Sequence, residues 1–301
     1  MPHLALVGPT ACGKSALALE LARRVEGVEL VSVDSMQVYR GMDIGTAKAT
    51  AAERRDVTHH LLDLADPEER FTLTRFRAAA DDALDDVERR GHTGLLVGGT
   101  GLYLQAVIGD VEPPGEWPDV RAAVEAEADT AALHRRLAAL DPAAAARMEP
   151  TNRRRIVRAL EVTEGSGRPF SSYGPGIDAY PPSARFVLAG VWLPRPIVAE
   201  RIACRVADMV ADGLVDEVRR LAPRLGPTAR QALGYKEVLG HIEGGTPLPE
   251  AIDRTISRTR AFSVRQRRWF RRDPRIRWFA TERNPVALLP ALLRELQECR
   301  S

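Results

Sequence analysis

Leu4-Ala5-Leu6-Val7-Gly8-Pro9-Thr10-Ala11-Cys12-Gly13-Lys14-Ser15 sets the architecture of the whole chain. The apolar run predicts a buried strand, and the loop from Gly8 to Ser15 fits G-x-x-x-x-G-K-S/T at every fixed position. The alanine- and leucine-rich segment through Glu26 predicts a helix. Gly8 and Gly13 let the backbone curl so that successive N–H groups point inward. Lys14 adds a cation, and the Ser15 hydroxyl at the helix start is placed to ligate Mg²⁺. Gly8, Pro9, Thr10, Ala11, Cys12, Gly13, Lys14 and Ser15 therefore form the expected diphosphate cradle. What the phosphates carry stays open here, because ATP and an allylic diphosphate share the part such a loop reads.

Outward from this loop the pattern continues as an α/β sheet wound around it. Glu29–Ser35 predicts a second strand, and Asp34 at its carboxyl end is a site candidate because ligand crevices open there. The loop Met36–Lys48, punctuated by Gly41 and Gly45, is expected to cover the site. His59–Leu64 reads as a third strand. Phe71–Arg90 reads as a helix with Leu73, Phe76, Ala80, Leu84 and Val87 on its apolar face and a solvated row of acids opposite. Gly94–Gly101 is a fourth strand ending in glycines, beside which Thr100 offers a hydroxyl. It lacks the terminal acid with which many ATPases hold magnesium, which argues against simple ATP hydrolysis.

The prolines within Val111–Gly115 mark a boundary. A helical, arginine-rich stretch follows, with starts near Pro118, Thr130, Asp141 and Thr151, and Gly165–Ser183 closes it. Arg185–Leu193 is again a strand. The expected organisation is residues 1–112 as the first part of the α/β core, 113–183 as an inserted helical subdomain, and 184–301 as core completion with basic helices. The last part reads as helical throughout. Ile197–Leu221 bends at Gly213 and carries Arg201 and Arg205 one turn apart, able to converge on an anion. A further helix opens at Arg230, and Pro249–Arg272 is long and basic, with Trp269 and Phe270 among its arginines.

Composition narrows the class. With 301 residues, 45% apolar and 28% charged, the chain has the balance of a water-soluble globular protein. Three widely spaced cysteines build neither a disulfide framework nor a zinc site, which fits a reducing cytosol. No leader-like segment or long apolar run is present, so a cytoplasmic protein without membrane contact is expected. Residues 1–110 hold 12 basic against 17 acidic side chains, and 111–301 hold 31 against 24. Arg254–Arg277 alone has ten arginines and one acid, Asp273, as a polyanion-binding segment would. Lysine occurs only at 14, 48 and 236, which suggests positions where a compact ammonium is needed. Cys12, on a loop opening a helix, is expected to be a reactive thiol.

Five segments, Gly8–Ser15, Asp34–Lys48, Leu96–Tyr103, Arg155–Val162 and Gly234–Glu237, together resemble the bacterial tRNA dimethylallyltransferases. They keep that family's order and spacing over nearly the whole chain. The resemblance implies a P-loop NTPase-like parallel-sheet core with an inserted helical subdomain that binds tRNA. It implies transfer of a dimethylallyl group from dimethylallyl diphosphate to the 6-amino group of the adenosine 3′ of the anticodon, in tRNAs reading codons that begin with U. Diphosphate would leave, Mg²⁺ would assist through Ser15, and the enzyme would act as a single chain. Asp34 would be the base, with Lys14 and Thr10 on the leaving group. Contacts to the anticodon stem-loop would come from Asp34, Ser35, Met36, Gln37, Thr100, Arg121, Arg154, Arg155, Arg158, Gly234, Tyr235, Lys236, Arg265, Gln266 and Arg268. Cys12 replaces a usual serine, and Ala49 and Thr58 replace usual prolines. The zinc-finger extension of eukaryotic relatives does not follow, as expected of a bacterial form. Three rivals remain at this stage: a small-molecule kinase, a prenyltransferase for free AMP or ATP, and a non-enzymatic nucleotide-gated RNA-binding module. The first leaves the helical insert and the basic helix unexplained.

Overall fold

Every residue of β1 (His3–Val7) is buried, as in a parallel strand covered on both faces. The computed structural model describes residues 2–109, 113–173 and 180–300. Contacts divide the chain into Met1–Ile108 with Tyr180–Ser301, and Gly109–Ala179.

In the first unit β1 leads into α1 (Lys14–Arg24), β2 (Val28–Val33), α2 (Ala51–Asp56), β3 (His59–His60), α3 (Leu73–Arg89), β4 (Thr93–Gly98) and α4 (Gly101–Ile108). The second unit holds α5 (Pro118–Glu125), α6 (Thr130–Leu140), α7 (Pro142–Ala146) and α8 (Arg153–Ser166) around Val124, Leu133, Leu137, Ile156 and Leu160. Asp129, Asp141 and Asn152 cap three of these helices by accepting from backbone N–H groups in the first turn. The first unit resumes with β5 (Phe186–Trp192), α9 (Arg195–Ala211), α10 (Leu214–Leu221), α11 (Tyr235–Ile242), α12 (Leu248–Phe270), β6 (Ile276–Ala280) and α13 (Leu289–Arg300).

The sheet has six strands in the order β3-β2-β4-β1-β5-β6, all parallel. Alternate residues feed its two cores. Ala5, Val7, Val31, Val33 and Leu96 pack with Tyr39, Phe76 and Tyr235, whereas Leu4, Leu6, Leu30, Leu95 and Val191 pack with Leu17, Ile202 and Leu292. β1 lies between β4 and β5, so the carboxyl ends of β1, β2 and β4 converge at the point where the winding order reverses.

Several sequence expectations change. The third strand stops at His60, because Leu61 and Asp63 adopt positive φ (63° and 57°). Asp63 there pairs with Lys48 and Arg54. Gly213 at φ 101° separates two helices rather than bending one. Ala229–Gln231 is a 3-10 turn, and α11 begins only at Tyr235. The segment after α12 is not wholly helical: Ile276–Ala280 is an edge strand on β5, its Trp278 packed edge-on to Trp192 at 5.5 Å. Parts of Val111–Gly115 and of Gly165–Ser183 lie outside the described residues. No described helix is long and apolar enough to cross a membrane.

Candidate functional site

The phosphate loop is shaped by its own turns and by the elements behind it. Gly13 takes φ 90°, and a Cβ there would lie 2.5 Å from Pro285, so only glycine fits. Cys12 N–H donates to the Pro9 carbonyl (3.3 Å) and Leu17 N–H to the Gly13 carbonyl (3.1 Å). Cys12 is fully buried among Leu4, Val191 and their neighbours, so its thiol is a packing group and the expected reactive cysteine is corrected. Ser15 is exposed at the first turn of α1. Lys14 Nζ donates to the Pro9 carbonyl at 3.3 Å, a long bond that an anion can displace. Burial holds the Lys14 ammonium below the usual lysine range. Arg205 lowers it further, and Cys12 and Asp34 oppose the shift.

Asp34 follows β2 directly, and its Oδ1 accepts from Met36 N–H (2.9 Å) and, at greater length, from Gln37 N–H (3.4 Å). This Asx turn aims the carboxylate without engaging Oδ2 in any described hydrogen bond. Ser35 N–H donates to Thr100 Oγ1 (3.2 Å). Gln37 accepts from Ser32 and donates to the Thr46 and Ala47 carbonyls, fixing the covering loop. Of the two arginines on α9, Arg205 approaches Thr10 Oγ1 (3.4 Å) and is kept below the usual arginine range by burial, with Asp34 and Cys12 opposing. Arg201 donates to the Ala11 carbonyl (2.8 Å) and lines a further cavity with Gly13, Lys14, Ser15 and Arg205.

Two cavities meet here. One, about 270 Å³, is lined by Thr10, Lys14 and Ser15 and by apolar Leu19, Leu30 and Leu62. The other, about 360 Å³, is lined by Ser35, Met36, Thr100, Gly234 and Arg265. Thr10, Asp34, Thr46, Arg205 and Phe262 line both, so the lobe beside the Gly8–Ser15 loop and the second lobe share one wall.

The remaining expected contact residues divide by availability. Arg265 and Arg268 are exposed on α12, whereas Gln266 and Phe270 are buried. Trp269 is half-buried. Arg267, expected from the arginine run to face a polyanion, is buried, donates to the Leu193 carbonyl and lies 3.7 Å from the Trp192 ring centre. It holds α12 to β5 and is corrected to a structural residue. Tyr235 is fully buried with its hydroxyl donating to Glu217, and burial followed by that carboxylate raises its pKa far above the tyrosine range. Gly234 N–H donates to Glu237 (2.8 Å), and Lys236 to Gln231 (2.8 Å). Lys48 is buried between Asp43 (2.8 Å), Asp63 (2.7 Å) and the Tyr39 carbonyl, a place where an ammonium with three donors fits. In the second unit Arg154 and Arg155 are exposed. Arg158 bonds Glu161 and the Pro114 and Gly115 carbonyls, and Arg121 pairs with Glu125 and Glu161. The sequence reading missed Phe262 and the burial of Gln266. A glutamine and a phenylalanine one turn apart in an arginine run were the available signal.

Residues 37–273 match the IPP transferase family and residues 1–67 the Isopentenyl transferase family. A tRNA dimethylallyltransferase of Salinispora arenicola is 52% identical over 91% of this chain and 81% of its own length. A tRNA isopentenylpyrophosphate transferase from Bacillus halodurans, seen in a crystal structure, is 37% identical with a TM-score of 0.72, covering 99% of this chain and 96% of that one. A eukaryotic dimethylallyltransferase described as acting on tRNA is 25% identical with a TM-score of 0.76, covering 93% and 74%.

Proposed function

The chain belongs to the IPP transferase family, and from that premise we propose that it is a tRNA dimethylallyltransferase with its donor in the phosphate-loop lobe and its acceptor base in the second. One observation carries the reading: Thr10, Asp34 and Arg205 line both cavities. A transferase needs such a shared wall, where donor and acceptor touch the same groups.

The donor is dimethylallyl diphosphate, its diphosphate on the N–H groups of Gly13, Lys14 and Ser15 where α1 begins, its five-carbon chain toward Leu19, Leu30 and Leu62. The allylic C–O bond breaks with its electron pair leaving on the diphosphate, whose growing charge Lys14, Arg205 and the Thr10 hydroxyl stabilise. The 6-amino nitrogen of adenine forms the new C–N bond, and its proton passes to Asp34, aimed by the Asx turn. Products are prenylated RNA and diphosphate. The base, 3′ of the anticodon in tRNAs reading codons that begin with U, leaves its stack to enter the lobe of Thr100 and Gly234, while Arg265, Arg268, Arg154 and Arg155 meet the phosphates.

Mg²⁺ fits this donor set. It keeps several waters and takes much of its shell from substrate phosphates, and the Ser15 hydroxyl, exposed beside the lobe, would be the loop's oxygen toward it. Among the described residues no three His, Cys, Asp or Glu side chains are grouped to hold a metal. When bound, the ion neutralises charge on the diphosphate. In this reading the enzyme works as a single chain in the cytoplasm. The test offers labelled dimethylallyl diphosphate with tRNA, with AMP or with no acceptor, and ATP with the same set. Label entering tRNA alone is expected; ATP consumption without prenyl transfer overturns the reading.

A further inference from the structure

One side chain of α12 interrupts the arginine run without reaching the surface. Gln266 is 6% exposed. Its Oε1 accepts from Thr10 N–H (2.8 Å) and its Nε2 donates to the Gly99 carbonyl (2.8 Å). A backbone N–H only donates and a carbonyl only accepts, so these partners fix which way the amide faces. Gly99 must be glycine for this approach, since a Cβ there would lie 2.3 Å from Nε2. A single amide thus joins the loop after β1, the end of β4 and α12. On the same helix Phe262 lines both lobes and Arg265 the acceptor lobe.

We propose that Gln266 is a positioning residue for the transfer, holding Thr10 in register with the donor diphosphate and tying that register to the helix that faces the RNA. The inference rests on the functional reading above and gives Gln266 a task other than contact with tRNA: both ends of its amide are engaged by the protein. Glutamine alone meets both partners at this reach. Asparagine is one methylene short, glutamate turns a second acceptor toward the Gly99 carbonyl, and methionine fills the space while leaving the Thr10 N–H and the Gly99 carbonyl unpartnered.

The test compares full-length wild type, Gln266→Met and Gln266→Glu by calorimetric titration with inorganic diphosphate, by dimethylallyl transfer kinetics, by tRNA binding and by thermal unfolding. The part-buried Thr10 N–H and the buried Gly99 carbonyl lose their partners in Gln266→Met, so diphosphate affinity falls by about 10-fold or more and donor KM rises while the tRNA Kd holds. Gln266→Glu is equally impaired at mildly alkaline pH. It recovers relative to wild type as the pH is lowered, because a protonated carboxyl can donate to the Gly99 carbonyl as the amide did. Unchanged diphosphate affinity and donor KM in both variants would overturn the proposal. So would a parallel loss of diphosphate affinity, tRNA affinity and melting temperature with no acid recovery of the glutamate variant, the mark of a packing residue. Should the wild type bind diphosphate yet transfer no prenyl group, the functional reading fails, and the binding comparison still decides the role of Gln266.

Discussion

Replacing Asp34 with asparagine removes the proposed base and leaves its turn in place. The Oδ1 of asparagine can accept from Met36 N–H and Gln37 N–H as the carboxylate does at 2.9 and 3.4 Å. Alanine would remove both bonds and mix a turn defect of about 1 kcal/mol into the chemistry. A positioned base contributes about 10²–10⁴-fold, or about 3–5 kcal/mol of barrier at roughly 1.4 kcal/mol per decade. The kcat of Asp34→Asn is therefore expected to fall by about 10² or more. Donor affinity should move the other way or not at all. Asp34 favours the charged forms of Lys14 and Arg205 but is itself a negative charge beside the diphosphate lobe. Steady-state transfer of labelled dimethylallyl groups to tRNA, with diphosphate binding measured separately, resolves the two effects. A kcat within about 3-fold of wild type, or a loss confined to KM, would refute the base assignment.

Other expectations follow from burial and pairing. Arg268→Ala should reduce the slope of log tRNA affinity against log salt by about one without loss of stability, checked by binding at several salt concentrations. Arg267→Ala should instead lower unfolding free energy by about 2–4 kcal/mol in denaturant titration, since it removes a buried guanidinium from a carbonyl and an aromatic face. Glu29, buried, would have its pKa raised by burial alone, but hydrogen bonds from Arg90, His60 and His92 with the charge of Arg90 overcome this and lower it from 4.5 to about 2. The folded value lies below the unfolded one, so the contribution is complete above pH 4.5 and is lost as pH falls from there toward 2. That is on the order of 3 kcal/mol, and Glu29→Gln should flatten this acid limb in unfolding measurements. A thiol reagent on the native protein should modify exposed Cys204 first, leaving buried Cys12 and Cys299 until unfolding, as peptide mapping would show. Labelling of Cys12 in the native state at the rate of Cys204 would contradict its burial.

The core was legible where hydrophobic run and loop chemistry coincide. Leu4–Ser15 reads as strand, loop and helix from its residues alone, and the helix starts near Pro118 and Thr130 are marked by proline and by an aspartate cap. β6 was hidden because an edge strand pairs on one side only, and Arg277 and half-buried Trp278 read as helix continuation. The third strand was overread because Leu61, Leu62 and Leu64 are apolar, while the positive φ at Leu61 and Asp63 has no signature in hydrophobicity. At the site, Asp34 and Thr10 follow from motif and strand end. Arg201 and Arg205 look alike in sequence, and only tertiary placement sends one to the Ala11 carbonyl and the other to Thr10. Arg267 illustrates the same limit, since composition counts charges and cannot tell which one is folded inward against Trp192.

The most direct measurement of the central claim locates the new bond. Unmodified tRNA is incubated with the enzyme, Mg²⁺ and dimethylallyl diphosphate, then digested, and the fragments are read by mass spectrometry alongside assay of released diphosphate. The account predicts one dimethylallyl group per tRNA, on the 6-amino nitrogen of the adenosine following the anticodon, with one diphosphate released for each. Diphosphate release without a prenylated nucleoside, or a prenyl group found only on free nucleotide, would contradict it.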